Sequence, residues 1–439
     1  MKLRSAFWWF LSFFGLAVLA TAQTPAAPLA AAAPAGPVIS AGDTAWVLVS
    51  TALVMLMTPG LGLFYGGMVR RKNVLSTIMQ SFFLVALISI QWVLWGYSTA
   101  FAPGTDYIGG LGWAFLRDIG PVSPNAPTIP HLAFVLFQAM FAVITPALIT
   151  GAYAERVSFK GFLVFSLLWA TFVYDPICHW VWSSGGWWAK LGGLDFAGGV
   201  VVHISAGFSA LALALLLGIR RGYGKETMVP HNMTMVITGT GLLWFGWFGF
   251  NAGSALAANN VACSAFLATN TAGAMATLVW CLLESVHRGK ATTLGAASGA
   301  IAGLAAVTPA SGFVDMWGAI CIGAIASLVC YAAIMVKIKW GYDDSLDAFG
   351  VHGVGGFWGT IAVGLWACPA VNGKAGWFYG NPSQFFTQLG MAGATAVYSL
   401  GVTVILYLIV EKTVGFRAQT KDEDMGLDIT QHGEEGYNY

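Results

Sequence analysis

The chain has 439 residues, of which 57% are hydrophobic and only 9% are charged. Soluble domains usually carry about 25% charged residues, so these few charges cannot cover a water-facing surface and indicate a multi-spanning membrane protein. The net charge of +1 argues against a nucleic-acid partner, which would need a basic face. The 6 cysteines form no C-x-x-C pair, and we expect no disulfide framework.

The first 22 residues have the pattern of a cleaved signal peptide. Lys2 and Arg4 precede an apolar core, and small residues up to Ala22 form a cleavage site. An uncleaved first transmembrane helix is the alternative, which the Pro/Ala-rich stretch that follows disfavours. We therefore predict a signal peptide over 1–22, a periplasmic linker over 23–42, a transmembrane domain over 43–412 and a cytoplasmic regulatory tail over 413–439.

Apolar stretches of the roughly 20 residues that a bilayer-spanning helix needs recur along the chain. They predict an all-α polytopic membrane protein with eleven transmembrane helices, near 44–68, 74–100, 131–154, 160–181, 197–219, 231–250, 261–284, 293–309, 315–336, 347–368 and 386–410. The stretch "FNAGSALAANN" over 250–260 is the predicted turn of one long uncharged run.

The positions of Lys and Arg predict the orientation. If the mature N-terminus is outside, only Arg117, Lys190 and Lys374 of the basic residues after the signal peptide face outward. Basic residues gather on the cytoplasmic side of membrane proteins, so the sequence favours an outside N-terminus and an inside C-terminus. The tail after residue 412 is mostly acidic and polar, which predicts a solvated segment.

Two segments echo each other. "DFAGGVVVHISAG" opens the fifth predicted span and "DAFGVHGVGG" opens the tenth, each with an Asp near its start and a His inside. Eleven spans fit two inverted five-helix repeats plus one extra helix, which this echo supports. Two unrelated helix N-caps with chance histidines are the alternative, and we expect Asp195 and Asp347 to act as such caps.

His203 and His352 are the histidines that lie well within predicted spans. An ionisable group inside the membrane is a functional hypothesis by default, although a packing hydrogen bond between helices is the alternative. A metal site is disfavoured, because no Asp or Glu stands at a ligand spacing and no H-E-x-x-H motif occurs.

Aromatic residues crowd the outer ends of several spans. They occur in "VYDPICHWVWSSGGWW", in "WFGWFGFNAGS" with Ser254, and in "FQAMFAVIT", where Phe137 and Phe141 share one helix face. Aromatic belts at bilayer interfaces are common, but aromatic faces also attract small cations, most strongly when both are desolvated. An aromatic vestibule above two neutral imidazoles suits a small polyatomic cation.

At these residues the chain resembles the ammonium transporter family (Amt/Mep, related to Rh proteins). The resemblance covers nearly the whole mature chain and is most specific in "GAYAERVSF", "DFAGGVVVHISAG", "TGTGLLWFGWFGFNAGS", "SGAIAGLAAVTPASG" and "DAFGVHGVGG". It implies a homotrimer of eleven-helix subunits, each with its own narrow pore.

The resemblance also implies roles for single residues. Trp182 and Ser254, with Phe137 and Phe141, correspond to the outer site that recruits ammonium, and Trp182 favours a transporter over an Rh-type channel. By the same resemblance, Phe141 and Phe250 correspond to a gate of two stacked rings, and His203 and His352 to a pair of pore histidines hydrogen-bonded to each other. Asp195 corresponds to a support for the outer site. Tyr174 and Trp247 correspond to two rings near the pore.

Asp175 departs from the family pattern, which more often has an apolar residue there. It would either cap a helix, which we expect, or add negative potential at the pore mouth.

The resulting expectation is a bacterial inner-membrane ammonium transporter with no cofactor and no enzymatic activity. Its partners would be ammonium or ammonia (with methylammonium as an analogue), membrane lipids, two further copies of the chain and a PII-type regulatory protein on the cytoplasmic face. The alternatives are an ammonium sensor that transports little, a neutral-gas or urea-type channel, and an intramembrane metal enzyme.

Overall fold

The computed structural model describes residues 38–437, so the predicted signal peptide lies outside the described residues. The chain in this range is largely helical. The helices are α1 (Ala41–Met68), α2 (Val74–Gln91), α3 (Tyr97–Phe101), α4 (His131–Tyr153), α5 (Phe159–Trp169), α6 (Asp175–Trp182), α7 (Trp187–Lys190), α8 (Ser205–Leu217), α9 (Met233–Ala252), α10 (Asn260–Arg288), α11 (Thr293–Val307), α12 (Met316–Trp340), α13 (Val354–Trp366), α14 (Pro369–Asn372), α15 (Pro382–Thr413) and α16 (Thr420–Met425).

Two short strands, β1 (Val122–Ser123) and β2 (Ala126–Pro130), form an antiparallel hairpin before α4. Several helices begin with, or continue through, a π-helical turn. These turns are Trp92–Gly96, Ala170–Tyr174, Gly199–Ile204, Phe349–Gly353 and Asp428–His432. Single π-helical turns are frequent at functional sites, and two of these carry His203 and His352.

Within residues 38–437, nine helical segments are long and apolar enough to cross a membrane. Two shorter apolar helices, α11 and α13 with its π turn, lie where two further spans were predicted. The predicted turn at 250–260 is narrower than expected, because α9 continues to Ala252 and α10 begins at Asn260. An all-α polytopic membrane protein is confirmed, whereas the count of eleven spans and their orientation stay predictions.

The two echoed segments have the same local structure. The Asp195 carboxylate accepts hydrogen bonds from four successive backbone N–H groups, those of residues 198–201, so its predicted capping role is confirmed. In the second segment the cap is Asp344, which accepts from the N–H groups of Ala348 and Phe349. The prediction that Asp347 is the cap is wrong, since its carboxylate pairs with Lys337 instead.

Because Asp344 is the cap, the two segments match in spacing as well as in shape. Asp195 stands as far before His203 as Asp344 stands before His352. Each carboxylate satisfies N–H groups that a helix start would otherwise leave bare in the membrane. The same device therefore places both histidines one turn inside a helix.

The histidine-bearing segments cross each other at glycines. A methyl group added at Gly207 would lie 2.1 Å from the backbone nitrogen of Gly353, and one added at Gly356 would lie 2.6 Å from the Cβ atom of His203. Small residues let membrane helices approach this closely. The crossing brings His203 and His352 into the same interior space.

The bundle has two distinct ends. At one end, Ser40 before α1 meets β2, and Asp43 accepts from the N–H of Ala258; we call this the vestibule face. At the other end, the chain after Thr413 lies across the loops that precede α2 and follow α8; we call this the tail face.

The tail is held by specific contacts, so the prediction of a solvated segment is wrong. Arg417 donates to the carbonyls of Leu217 and Ile219, Lys72 donates to carbonyls in α16, and Asp428 accepts from the first backbone N–H groups of α2. The composition of the tail shows that its residues are polar. It does not show that residues of the helix bundle form hydrogen bonds with them.

Candidate functional site: a buried conduit with two histidines

His203 and His352 lie face to face in the bundle interior. Their ring centroids are 5.2 Å apart and the ring planes differ by 10°. Both side chains are buried. Neither ring nitrogen of His203 has a hydrogen-bond partner among residues 38–437, so the expected hydrogen bond between the two histidines is absent from this structure. Unsatisfied buried ring nitrogens are costly, so a polar ligand in the adjoining space would stabilise them.

The space beside the histidines is narrow and apolar. It measures about 10 Å³, roughly the room that one water molecule needs. Apart from the two imidazoles, apolar or aromatic side chains line it: Met57, Leu61, Ile144, Leu148, Val202, Leu243, Trp247, Phe250 and Ile301. A hydrated ion does not fit, and a bare charge would find no counter-charge in the lining.

Trp247 and Phe250 form the wall next to His203. Their ring centroids lie 5.7 Å and 6.2 Å from that of His203, with nearly parallel planes. The indole N–H of Trp247 donates to the hydroxyl of Thr308 at 2.9 Å, which fixes its orientation. Trp247 thus lies beside His203 in the lining of the central cavity.

Phe141 and Phe250 separate this cavity from the vestibule face. Their ring centroids are 4.4 Å apart, the shortest distance among the phenylalanines named in this conduit. Phe141 also meets Trp182 edge-on at 5.6 Å and packs against Phe137 at 5.0 Å. The planes of the Phe141 and Phe250 rings differ by 40°, so the two rings are tilted against each other and not stacked as predicted.

A second cavity of about 100 Å³ lies beyond these rings; we call it the vestibule cavity. It is lined by Asn125, Phe134, Gln138, Trp182, Phe196, Ser254 and Leu256. The hydroxyl of Ser254 donates to the carbonyl of Phe250 at 2.8 Å. Its oxygen lone pairs therefore stay available to accept a hydrogen bond from a ligand. The indole of Trp182 supplies the aromatic face.

Asp195 positions this cavity without lining it. Its backbone carbonyl accepts the indole N–H of Trp182 at 2.9 Å. Because its carboxylate caps the helix of His203 at the same time, one residue fixes both the vestibule ring and the first pore histidine. The predicted supporting role has this physical basis.

A third cavity, of about 40 Å³, leads toward the tail face. His352 and Ile301 line both this cavity and the central one, and Tyr65 and Asp347 line this cavity alone. The three cavities thus form a row: vestibule cavity, ring pair, histidines, tail-face cavity. The central cavity, of about 10 Å³, is the smallest of the three.

Two predicted residues lie elsewhere. Tyr174 is fully buried next to Trp92, with ring centroids 6.3 Å apart, and lines none of the three cavities. Asp175 caps no helix and does not reach the mouth, so both readings of it are wrong. Its buried carboxylate accepts from the side chains of Gln91 and Thr99, at 2.8 Å and 2.9 Å.

Sequence reasoning missed Gln138 and Asn125. Gln138 stands inside the quoted "FQAMFAVIT" as its one amide residue, which was the available signal. Asn125 lies in the β1–β2 hairpin, and no local pattern connects that hairpin with Trp182. In the part of the chain that the structure describes, no group of three or more His, Cys, Asp or Glu side chains could hold a metal ion.

The chain matches known proteins along nearly all of the described range. The model of a family described as "Ammonium Transporter Family" matches residues 45–437. A Bacillus subtilis protein named "Ammonium transporter" is 52% identical over 400 residues, covering 90% of this chain and 98% of its own. "Ammonium transporter Amt1" of Archaeoglobus fulgidus is 50% identical over 402 residues, covering 91% of this chain and 100% of its own.

The fold agrees with that match. The crystal structure of Saccharomyces cerevisiae Mep2 superposes with a TM-score of 0.83 at 37% identity, covering 87% of this chain and 88% of that one. These matches are to membrane transporters or channels and not to enzymes. The chain therefore belongs to the ammonium transporter family.

Proposed function

We propose that this protein recruits ammonium in the vestibule cavity, removes a proton and conducts the nitrogen past His203 and His352. The observation that carries the proposal is the row of three cavities, with an aromatic and acceptor-bearing mouth at one end and a dry histidine pair at its centre. Phe141 and Phe250 act as the gate between the two, and Phe137 supports them.

The chemistry of ammonium fits this order of sites. An amine with a pKa of about 10 is uncharged in only about one molecule in a thousand at pH 7. A mouth that attracts the cation through the face of Trp182 raises its local concentration. A charge in the narrow apolar section is penalised, which favours loss of the proton before entry.

Neutral imidazoles suit the central section, because each offers one donor and one acceptor. Ammonia can accept from one ring and donate to the other, and a ring can pass a proton on. Net movement of ammonia and net movement of ammonium charge are both compatible with this section.

We propose further that the protein lies in the inner membrane of a bacterium, that its N-terminus is outside and that it forms a homotrimer. The basic residues of the tail face support the orientation. An outward groove of about 640 Å³ supports the trimer, since exposed Asn270 lies there beside Phe248 and Phe266. An amide facing lipid is costly, whereas a second copy of the chain would cover it.

The proposal includes a PII-type regulatory protein that docks on the cytoplasmic face, where the tail crosses the loops.

Membrane lipids surround the exposed apolar side chains of α10, such as Leu278 and Val286, which are 68% and 79% exposed.

The test is Trp182→Leu in proteoliposomes, with ammonium and methylammonium currents recorded alongside proton flux. We expect the half-saturating concentration to rise about tenfold, because a desolvated cation–π contact contributes roughly 1–2 kcal/mol. Trp317→Leu is the matched control, since Trp317 is 66% exposed on α12, away from the conduit.

Unchanged kinetics in Trp182→Leu would remove the recruiting role. The absence of any ammonium-dependent flux in the wild-type protein would overturn the transport proposal and favour a sensor.

A further inference from the structure

The tail-face ends of α10 and α12 carry a group of basic side chains. Arg288 ends α10, and its guanidinium contacts the sulfur of Met335 on α12 at 4.0 Å. Lys339 stands four residues after Met335 in α12, so it lies on the same helix face, one turn nearer the end. Lys290 follows Arg288 after a single glycine. Arg288, Lys290 and Lys339 are all exposed, and we call them the basic cluster.

No carboxylate balances the basic cluster. Within residues 38–437, none of its three side chains forms an ion pair, whereas Arg220 and Arg417 on the same face each pair with a carboxylate. The acidic residue of α10 is Glu284, whose buried carboxylate accepts from the backbone N–H and the hydroxyl of Thr292, both at 2.9 Å. Like charges that share a surface without a counter-charge repel each other. The cluster therefore favours an anion that the described chain does not supply.

The basic cluster lies where the two helices leave the bilayer. α12 has 25 residues and is roughly 37 Å long at about 1.5 Å per residue, which exceeds the hydrocarbon core of about 30 Å. Its last residue, Trp340, is 75% exposed, and tryptophan is enriched at membrane–water interfaces. On α10, exposed Leu278, Leu282 and Val286 stand at four-residue intervals and form an apolar stripe that ends in the last turn. Acyl chains would cover such a stripe, and cations stand at its end.

We propose that the basic cluster binds the headgroup phosphate of an anionic phospholipid at the tail-face surface of the membrane. The planar guanidinium of Arg288 offers a fork of donors that fits phosphate oxygens, and Lys339 adds a point charge beside it. The proposal does not rest on the proposed function, because it involves neither the conduit nor ammonium.

The chemistry of the cluster also predicts which lipid it prefers. Phosphatidylcholine carries the same phosphate together with a choline cation, which three unpaired basic groups repel. Phosphatidylglycerol has a net negative charge and no such cation. Inorganic phosphate has the charge but no acyl chains to cover exposed apolar side chains, so it forgoes the hydrophobic contribution. We therefore expect the order phosphatidylglycerol, then phosphatidylcholine or inorganic phosphate.

The experiment uses the full-length protein in an uncharged detergent and follows thermal unfolding during titration with short-chain phosphatidylglycerol. Phosphatidylcholine of the same chain length and inorganic phosphate are the comparison ligands. We expect phosphatidylglycerol to raise the Tm at a lower concentration than either of them. In the double variant Arg288→Gln/Lys339→Gln, the half-effective concentration should rise roughly twentyfold, because each basic residue at an anionic surface contributes about fivefold in affinity.

A second double variant, Lys160→Gln/Lys225→Gln, is the matched control. It removes the same charge from two exposed lysines of the tail face, one at the start of α5 and one in the loop between α8 and α9. We expect it to raise the half-effective concentration far less. Lys339→Arg keeps the charge and should bind like the wild type. Lys339→Gln alone should shift the value about fivefold, which keeps the test valid if the double variant does not fold.

Equal shifts in the two double variants would overturn the proposal, because they would show a general effect of surface charge. An equal effect of phosphatidylcholine or of inorganic phosphate in the wild type would overturn it as well, since the anionic lipid would then not be recognised. Ammonium flux does not enter this measurement, so failure here leaves the proposed function untouched.

Discussion

Two regions of the molecule differ in whether their buried polar groups have hydrogen-bond or ion-pair partners. On the tail face, the buried carboxylate of Asp343 is surrounded by two arginines. Arg220 donates to it from its backbone and its guanidinium, at 2.7 Å and 2.9 Å, and Arg156 reaches it at 3.3 Å. In the conduit, both ring nitrogens of His203 and the amide oxygen of Gln138 have no partner within the described chain.

The difference indicates what each region does. Charges that are buried and paired hold loops together, because separating them would leave an uncompensated charge. Polar groups that are buried and unpaired beside a cavity reduce stability and are useful only when a ligand satisfies them. In these two places the paired charges join loops and the unpaired groups belong to residues that line cavities, although both sets are buried.

The strongest test of this comparison is Asp343→Asn, which leaves Arg156 and Arg220 facing an uncharged amide. We expect it to lower the free energy of unfolding by about 3–5 kcal/mol, as removal of one partner from a buried ion pair does. Thermal unfolding in detergent measures the effect. Asp424→Asn is the matched control: its partner Arg221 is 3.0 Å away and both side chains are half exposed, so we expect little change. Similar losses in the two variants would contradict the distinction.

Asp344 gives a pH-dependent test, because its pKa is shifted in the opposite direction from that of the neighbouring Asp343. Burial alone would raise the pKa of Asp343, but the hydrogen bonds and charge of Arg220, with the charge of Arg156, hold that pKa below its ordinary value. Burial and the nearby carboxylate of Asp347 raise the pKa of Asp344 to about 6, against the opposing charge of Lys337.

A carboxyl group whose pKa is raised by folding favours the folded state at low pH and loses this contribution as the pH rises through the folded pKa. Between pH 4 and pH 7, the stability of the wild type relative to Asp344→Asn should therefore fall, by at most about 3 kcal/mol. Unfolding curves of both proteins across this pH range measure it. A stability difference that stays constant with pH would show that Asp344 does not titrate there.

His203→Leu should have the smallest effect on stability and a large one on function. Removing two ring nitrogens that lack partners should change the free energy of unfolding by less than about 1 kcal/mol, and an increase is compatible with the comparison. Selective conduction should be lost or altered, measured as ammonium current against proton flux. A variant that unfolds readily yet transports with normal selectivity would place His203 in the scaffold instead.

Much of the fold was predictable from sequence because its causes are local. About 20 apolar residues in a row make a helix that can span a bilayer, whatever the rest of the chain does. His203 and His352 stood out because polar residues in apolar spans are visible in one window of sequence, whereas the roles of Phe141, Phe250 and Ser254 were implied by the family resemblance.

What the sequence by itself determined was the membrane class, the approximate helix positions and the histidine pair of the conduit. Tertiary structure alone decided that Asp344 rather than Asp347 caps the helix of His352, that the acidic tail docks instead of staying solvated, and that Gln138 lines the same cavity as Trp182 and Ser254. The reason is physical: hydrophobic runs depend on neighbouring residues, whereas a partner for a polar atom depends on which distant helices cross beside it.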